Sequence, residues 1–315
     1  MQSILATTTH SLAPIAFCIT LGWMAGKLGM MPIEYGRALA RFVVLFALPI
    51  ALFLAAAKAN PADIFNARIL LSLLIGFGLT FLIGWAAGHL LFKHGEADSA
   101  LQALACSFPN IAYCGPPVLV ASVGSSALLM VVSGNLIVTL IVVPITLVVL
   151  ARSATDEEHR IGIGRALWNA AKQPLVFLPI AGAGFAASGF KLPELAVTAA
   201  SEIGVAAGGA ALFALGLTLS GISLQLNKEV TFNVFVKNIL QPIVIFGTAY
   251  LVGLRGALLA QTFLLGVLPT ATEVSAIAVS RNIYRDRAAG STLASVLASI
   301  FTIAAGVSVA VLLDE

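Results

Sequence analysis

Apolar residues gather in long runs along the chain, and short polar connections separate these runs. A run of about twenty apolar residues is long enough for an α-helix to cross the hydrocarbon core of a bilayer. The pattern predicts ten spans, at 10–29, 38–58, 67–92, 99–122, 128–151, 168–188, 199–222, 232–254, 257–281 and 289–312. The chain is therefore predicted to be an all-α polytopic membrane protein that forms one compact membrane domain.

The composition indicates the same class. Hydrophobic residues make up 59% of the 315 positions and charged residues 10%, whereas a soluble domain carries about 25% charged residues. A transmembrane β-barrel would alternate polar and apolar residues in segments of about ten, which differs from the long apolar runs of this chain. The three cysteines lie in apolar segments without ligand spacing, so we expect neither a metal centre nor a disulfide there. We also expect no nucleic-acid partner.

The distribution of Lys and Arg predicts the orientation of the chain, because positive residues favour the cytoplasmic connections. Of the 17 Lys and Arg residues, 13 fall on one side of the predicted bundle, among them Lys237 near the start of span eight. The other side holds Lys58, Arg68, Lys191 and Arg255. Both termini are therefore expected outside, and no Lys or Arg is expected at the centre of a span.

The two halves of the chain resemble each other at an offset of 160 residues. The matched pairs are Pro14 with Pro174, Gly22 with Gly182, Gly29 with Gly189, Glu34 with Glu194 and Pro109 with Pro269. Five spans per half is an odd number, so the second half enters the membrane from the opposite side, as in transporters with inverted repeats. We expect five-helix repeats at 1–151 and 168–315, joined by a cytoplasmic linker at 152–167.

Spans four and nine are predicted to be broken helices. The stretch SFPNIAYCGPPVLVASVG, 107–124, has Pro109 near its start and two further prolines. A proline inside a helix costs about 3 kcal/mol because it removes a backbone donor and clashes with the preceding turn. Broken backbone within the membrane persists only where protein buries it or where it lines a polar cavity. We expect span four to break at Pro109, span nine to break at Pro269, and the two helices to cross near the midplane.

Such a crossing can bind ions without basic side chains. The first turn of a half-helix presents unpaired N–H groups to an anion, and the C-terminal end presents carbonyls to a cation. Asn110 either caps the second half of span four or binds a carboxylate, and the two roles are compatible. The candidate substrate-binding residues are Pro109, Asn110, Ile111, Ala112, Pro269, Thr270 and Ala271. Asn135 and Gln241 are further candidates, although such residues more often form a plain helix–helix hydrogen bond.

Glu273 lies four residues after Pro269 and is the only acid that we place in the interior of a predicted span. A charge at a helix centre costs about 2.5–3.5 kcal/mol on insertion scales, so an intramembrane acid is first interpreted as functional. Three roles remain open for it: a proton carrier, a Na⁺ ligand, or a neutral structural acid. Thr272 and Asn110 join it as candidate coupling residues. No cofactor is expected apart from a coupling ion, Na⁺ or H⁺.

Several segments resemble the auxin efflux carrier family, which includes bacterial malonate and malate permease-like proteins. The run NIAYCGPP, 110–117, followed by Gly124, is similar to the N-x-x-x-x-G-x-P stretch of that family, and LGWMAGKLGM, FALPIALF, LFALGLTLSG and LPTATE also resemble it. The resemblance implies a ten-span fold of two repeats with crossed broken helices, shared with bile-acid sodium symporters. It also implies that Asn110 and the backbone after Pro109 and Pro269 bind the carboxylate of an organic anion. The Thr-Glu-Val run 272–274 resembles the sodium-binding part of the bile-acid symporters.

These observations favour a secondary transporter of the bacterial inner membrane rather than an enzyme. We expect it to move a small organic anion, malonate-like or another carboxylate, by alternating access, with coupling to Na⁺ or H⁺ through Glu273. Its expected partners are that anion and the lipid bilayer, and a homodimer is left open. The alternatives are a cation/proton exchanger without an organic substrate and an uncoupled, auxin-like monocarboxylate carrier. A membrane enzyme or sensor is disfavoured because the sequence contains no catalytic constellation and no extramembrane domain.

Overall fold

The computed structural model describes residues 2–60, 65–153, 163–222 and 224–314, and it is all-helical over those residues apart from one isolated β-bridge. Its thirteen helices are α1 (Gln2–Lys27), α2 (Ile33–Lys58), α3 (Ala67–Leu90), α4 (Glu96–Ser107), α5 (Ile111–Val123), α6 (Ser125–Arg152), α7 (Ile163–Ala171), α8 (Pro174–Ala187), α9 (Glu194–Leu219), α10 (Lys228–Leu251), α11 (Gly256–Gly266), α12 (Thr272–Arg281) and α13 (Arg285–Asp314).

Six of these helices, α2, α3, α6, α9, α10 and α13, are long and apolar enough to cross a membrane. The prediction of an all-α polytopic membrane protein is therefore confirmed. The count of ten spans stays a prediction, as does the inverted repeat. Helices with similar bounds do recur about 160 residues apart, as such a repeat requires. The helix Ile33–Lys58 corresponds to Glu194–Leu219, and Ala67–Leu90 corresponds to Lys228–Leu251.

The predicted span six, at 168–188, is not one continuous helix. The amphipathic helix α7 ends at Ala171, and the apolar helix α8 begins at Pro174. The cause is Pro174, because the residue before a proline is pushed out of the α region, and Gln173 accordingly has an extended ψ of 136°. The part of the predicted linker at 154–162 lies outside the described residues.

Three long helices each contain one π-helical turn, and a proline follows two residues after it. The turns are Val43–Ala47, Val138–Val142 and Val236–Leu240, followed by Pro49, Pro144 and Pro242. A proline ring collides with the carbonyl four residues earlier, and in all three helices that carbonyl lies inside the wider π turn. The prolines thus explain the π turns, including the one in α10 that contains Lys237.

The helices pack into two groups, with α5 in contact with both. The first group comprises α1, α2, α8 and α9, and the second is built around α3, α4, α10, α11 and α13. Small residues allow close approach within the first group, as expected for helices in a membrane. A Cβ atom on Gly22 of α1 would lie 2.1 Å from the carbonyl oxygen of Phe213 in α9. Of the broken helices, α5 therefore lies against this tightly packed group.

Candidate functional site

Both predicted helix breaks are present, and they lie against each other. Helices α4 and α5 are separated by residues 108–110, and α11 and α12 by residues 267–271. An antiparallel β-bridge joins Pro109 of the first break to Thr270 of the second. The structure thus brings together seven predicted substrate-binding residues: Pro109, Asn110, Ile111 and Ala112 from one chain segment, and Pro269, Thr270 and Ala271 from the other.

Each break satisfies backbone groups that the other leaves without a helical partner. The backbone N–H of Asn110 donates to the carbonyl of Pro269 at 2.8 Å, and that of Ala271 donates to the carbonyl of Phe108 at 2.9 Å. The Thr270 hydroxyl donates to the carbonyl of Ala105 in α4 at 3.0 Å. Buried backbone groups require such partners, so the two breaks stabilise each other and form one structural unit, which we call the crossing (residues 107–112 and 266–273).

Asn110 is buried at the crossing, with 1% of its surface exposed. It is the N-cap of α5, since its Oδ1 accepts a hydrogen bond from the backbone N–H of Tyr113 at 3.3 Å. Its Nδ2 has no hydrogen-bond partner among the described residues. Leaving a buried polar group unsatisfied costs about 1–3 kcal/mol. Asn110 therefore caps the helix and also presents an unused donor beside the first turn of α5.

Glu273 lies in the first turn of α12 and is half-buried. Its carboxylate accepts a hydrogen bond from its own backbone N–H, and the Thr272 hydroxyl lies 3.4 Å from Oε2. None of the ion pairs in the described part of the chain includes Glu273. It interacts electrostatically with Tyr113 and Cys114 of α5. Glu273 thus faces α5 from the start of α12, where an anion is favoured by the unpaired amides of a helix N-terminus.

The two remaining candidates, Asn135 and Gln241, have different surroundings. Asn135 Nδ2 donates to the carbonyl of Leu175 at 3.0 Å, which joins α6 to α8 and agrees with the structural interpretation of that residue. Gln241 lies at the crossing, because its Nε2 donates to the carbonyl of Ser107, the last residue of α4, at 2.8 Å. The same amide donates to the Thr80 hydroxyl at 2.9 Å. Gln241 therefore caps the C-terminal end of the first broken helix.

Lys237 corrects one expectation from the sequence. It was assigned to the cytoplasmic side, but it lies ten residues into α10, and its side chain is 0% exposed. Its Nζ donates to the carbonyls of Gly266 at 3.2 Å and Leu268 at 2.5 Å, at the C-terminal end of α11. A lysine is therefore present in the interior of a span. The signal that could have revealed it is the spacing of Glu229, Asn233, Lys237 and Gln241, which places four polar residues on one face of α10.

The N-terminal end of this polar face holds an ion cluster around the buried Glu229. His94 Nε2 lies 2.7 Å from Glu229 Oε1, and Arg287 Nε lies 3.0 Å from Oε2. The Tyr284 hydroxyl donates to Oε1 at 2.6 Å. Burial first, and then the charge of Glu229, raises the pKa of Tyr284 well above its usual range. Tyr284 is accordingly held as a hydrogen-bond donor to the carboxylate, and the cluster joins the start of α10 to the start of α13.

A largely apolar cavity of about 620 Å³ lies between α2, α5, α6 and α9. Pro116 and Pro117 of α5 form one wall, and the exposed Lys58 lies among the lining residues with a few serines. Pro116 is between one and two helical turns along α5 from Asn110. The cavity therefore follows the same half-helix that begins at the crossing.

Comparison with known proteins identifies the family. The model of the family described as "Membrane transport protein" matches residues 7–305. This chain belongs to that family of membrane transport proteins. The match confirms the auxin efflux carrier resemblance that the motifs indicated, and a transporter family of this kind is not an enzyme class.

Two relatives cover nearly the whole chain. The "Uncharacterized transporter YfdV" of Escherichia coli (strain K12) is 31% identical over 294 residues, which is 92% of this chain and 94% of that protein. The "Putative malonate transporter" of Rhizobium meliloti (strain 1021) is 26% identical over 305 residues, 95% of this chain and 94% of that protein. The chain is thus similar to both relatives from end to end.

Proposed function

We propose that this chain is a secondary active transporter that moves a small organic anion, malonate-like or another carboxylate, across the bacterial inner membrane. The crossing carries this proposal, because it joins the starts of two half-helices to a buried amide donor, Asn110 Nδ2, that has no partner among the described residues. The name of the Rhizobium relative gives independent support for malonate as the first substrate to test.

In this proposal the substrate carboxylate binds at the start of α5. The N–H groups of Ile111 and Tyr113 are already bonded to the Pro109 carbonyl and to Asn110 Oδ1. The Asn110 amide and the N–H of Ala112 are therefore the donors that we assign to the carboxylate at this helix N-terminus. Glu273 already places a carboxylate at the start of α12, so that end is less suited to a second anion. The asymmetry favours binding at α5 and assigns Glu273 to coupling with Na⁺ or H⁺ rather than to the substrate.

Transport itself requires that the site open to each side in turn. We propose ten spans arranged as two inverted five-helix repeats with both termini outside, which the recurrence of the helix bounds supports. In that orientation the cavity along α5 and its Lys58 lie on the outer side, and they form the outer access route. A positive charge near the entrance raises the local concentration of anions.

Proteoliposome uptake measured across a panel of mono- and dicarboxylates tests the substrate class. Accumulation or counterflow of at least one carboxylate is expected, and the absence of both for every carboxylate would refute the proposal. The cation/proton exchanger would instead move its ions without any carboxylate present.

Glu273→Gln tests the coupling. We expect it to abolish gradient-driven accumulation while counterflow persists, because exchange of substrate across the site does not need the coupling ion. Glu194→Gln is the matched control, since Glu194 is an exposed acid in the first turn of α9. Full accumulation by Glu273→Gln would assign Glu273 a structural role and favour the uncoupled carrier.

A further inference from the structure

Lys237 places an amino group inside the membrane domain. Its side chain is fully buried, and none of the ion pairs among the described residues includes it. A buried charge without a partner is strongly unfavourable, so the two carbonyls that accept hydrogen bonds from Nζ have to replace its hydration. Those carbonyls belong to Gly266 and Leu268.

These two carbonyls form the kind of site that binds a cation. Gly266 is the last residue of α11, and Leu268 lies in the break that follows it. The carbonyls at the end of a half-helix carry a partial negative charge, and in transporters with broken helices such ends coordinate Na⁺. The ammonium of Lys237 occupies this position directly.

The other half of the crossing has no equivalent charge. The C-terminal end of α4 is capped by the neutral amide of Gln241, which donates to the carbonyl of Ser107. At the offset of 160 residues, Lys237 corresponds to Phe77, which is also fully buried. The buried lysine at the crossing therefore belongs to the second half of the chain alone and is not a general consequence of the repeat.

We propose that the Lys237 ammonium is a built-in cation that takes the place of a bound sodium ion at the end of α11, so that this end of the crossing needs no sodium. The proposal depends on the contacts of Lys237 and not on the identity of the transported substrate.

Thermal unfolding of the purified full-length chain tests the cation site without any organic substrate. The melting temperature is measured in sodium chloride and in choline chloride at equal ionic strength, for the unmodified chain, Lys237→Met and Lys237→Arg. Lys228→Met is the matched control, because Lys228 is an exposed lysine on the same helix. Ligand binding to the folded state alone raises the melting temperature by mass action.

We expect sodium to raise the melting temperature of Lys237→Met by about 2–4 °C, the shift that a modest stabilisation gives in a domain of roughly this size. The other three proteins should respond by less than about 1 °C, since each retains a cation at the end of α11. A response of the unmodified chain equal to that of Lys237→Met, or no response of Lys237→Met, would overturn the proposal.

A second neutral variant and a second readout cover the case in which Lys237→Met is too unstable to melt cooperatively. Lys237→Gln is extracted in each salt, and the fraction that elutes as a single species in size-exclusion chromatography is compared. Recovery is expected to be greater in sodium, and equal recovery would contradict the proposal. Failure to transport any carboxylate would refute the proposed function while leaving this result unaffected.

Discussion

Replacing Asn110 with alanine removes a stabilising hydrogen bond and also an unpaired buried donor that lowers stability. The cap of α5 is lost, because Oδ1 no longer accepts the hydrogen bond from the Tyr113 N–H. The buried Nδ2, which has no partner among the described residues, is removed as well. Loss of a cap costs about 1 kcal/mol, and removal of an unsatisfied buried donor restores about 1–3 kcal/mol. We therefore expect Asn110→Ala to be as stable as the unmodified chain or more stable by up to about 2 kcal/mol.

Substrate affinity should fall even though stability does not. A hydrogen bond to a charged group contributes about 1.5–3 kcal/mol, which corresponds to an affinity about tenfold to a hundredfold weaker when the donor is lost. Counterflow in proteoliposomes gives the apparent affinity for a transported carboxylate, and thermal unfolding in detergent gives the stability.

Two variants separate the cap from the donor. Asn66→Ala removes a cap alone, since Asn66 Oδ1 accepts hydrogen bonds from the N–H groups of Arg68 and Ile69 at the start of α3. It should lower stability by about 1 kcal/mol and leave the affinity unchanged. Asn110→Asp retains a capping oxygen but replaces the amide donor with a negative charge, so it should fold and fail to bind an anion. Unchanged affinity in Asn110→Ala, or normal transport by Asn110→Asp, would refute the role of Asn110 in binding.

Three further predictions concern packing, the ion cluster and the outer cavity. Gly22→Leu should destabilise the chain by about 1–3 kcal/mol through overpacking, measured by thermal unfolding, because even a Cβ atom would lie 2.1 Å from the carbonyl oxygen of Phe213. Tyr284→Phe should cost about 2 kcal/mol through loss of the donor to Glu229. Because the pKa of Tyr284 is raised in the folded state, this contribution should be complete at neutral pH and lost only as the pH rises above about 10. An equal loss of stability at neutral pH and above about pH 10 would contradict this interpretation. Lys58→Ala should raise the apparent KM about two- to fivefold at low salt, and a salt-independent KM in the unmodified chain would exclude steering by this charge.

The polar residues of α10 link the crossing to the ion cluster at the start of that helix. Asn233 Nδ2 donates to the Tyr284 hydroxyl and to the Ser291 hydroxyl, both at 3.0 Å, and its Oδ1 accepts from Gln102 Nε2. Asn238 bonds Ser295, whose hydroxyl accepts the backbone N–H of Thr270. One helix thus holds the ion cluster, the end of α4 and the second break in fixed positions relative to each other.

Features that depend on nearby residues could be predicted from the sequence. Hydropathy gave the membrane class, and the prolines gave the breaks at Pro109 and Pro269, because a missing N–H and a ring clash act within one turn of the chain. The cap of α5 by Asn110 has the same local origin. The hydrogen bond from Asn135 to the Leu175 carbonyl is of the helix–helix kind that the sequence favoured for this residue.

The position of Lys237 was predicted wrongly because hydropathy treats a lysine near the start of an apolar run as a marker of the membrane surface. Whether such a lysine is at the surface or buried depends on whether other segments can replace its hydration. The carbonyls that do so lie 29 and 31 residues away in sequence, and the carbonyl bonded by Gln241 lies 134 residues away.

The sequence alone therefore determined that this protein is a helical membrane protein with two broken helices, an amide beside the first break and an acid after the second. The tertiary structure decided that the breaks pair with each other, that α10 caps both of their C-terminal ends, and that one of these caps is the amino group of a buried lysine. The physical reason is that helix formation, capping and proline breaks are fixed by neighbours in the chain, whereas the partners of buried polar groups come from distant segments that only the fold brings together.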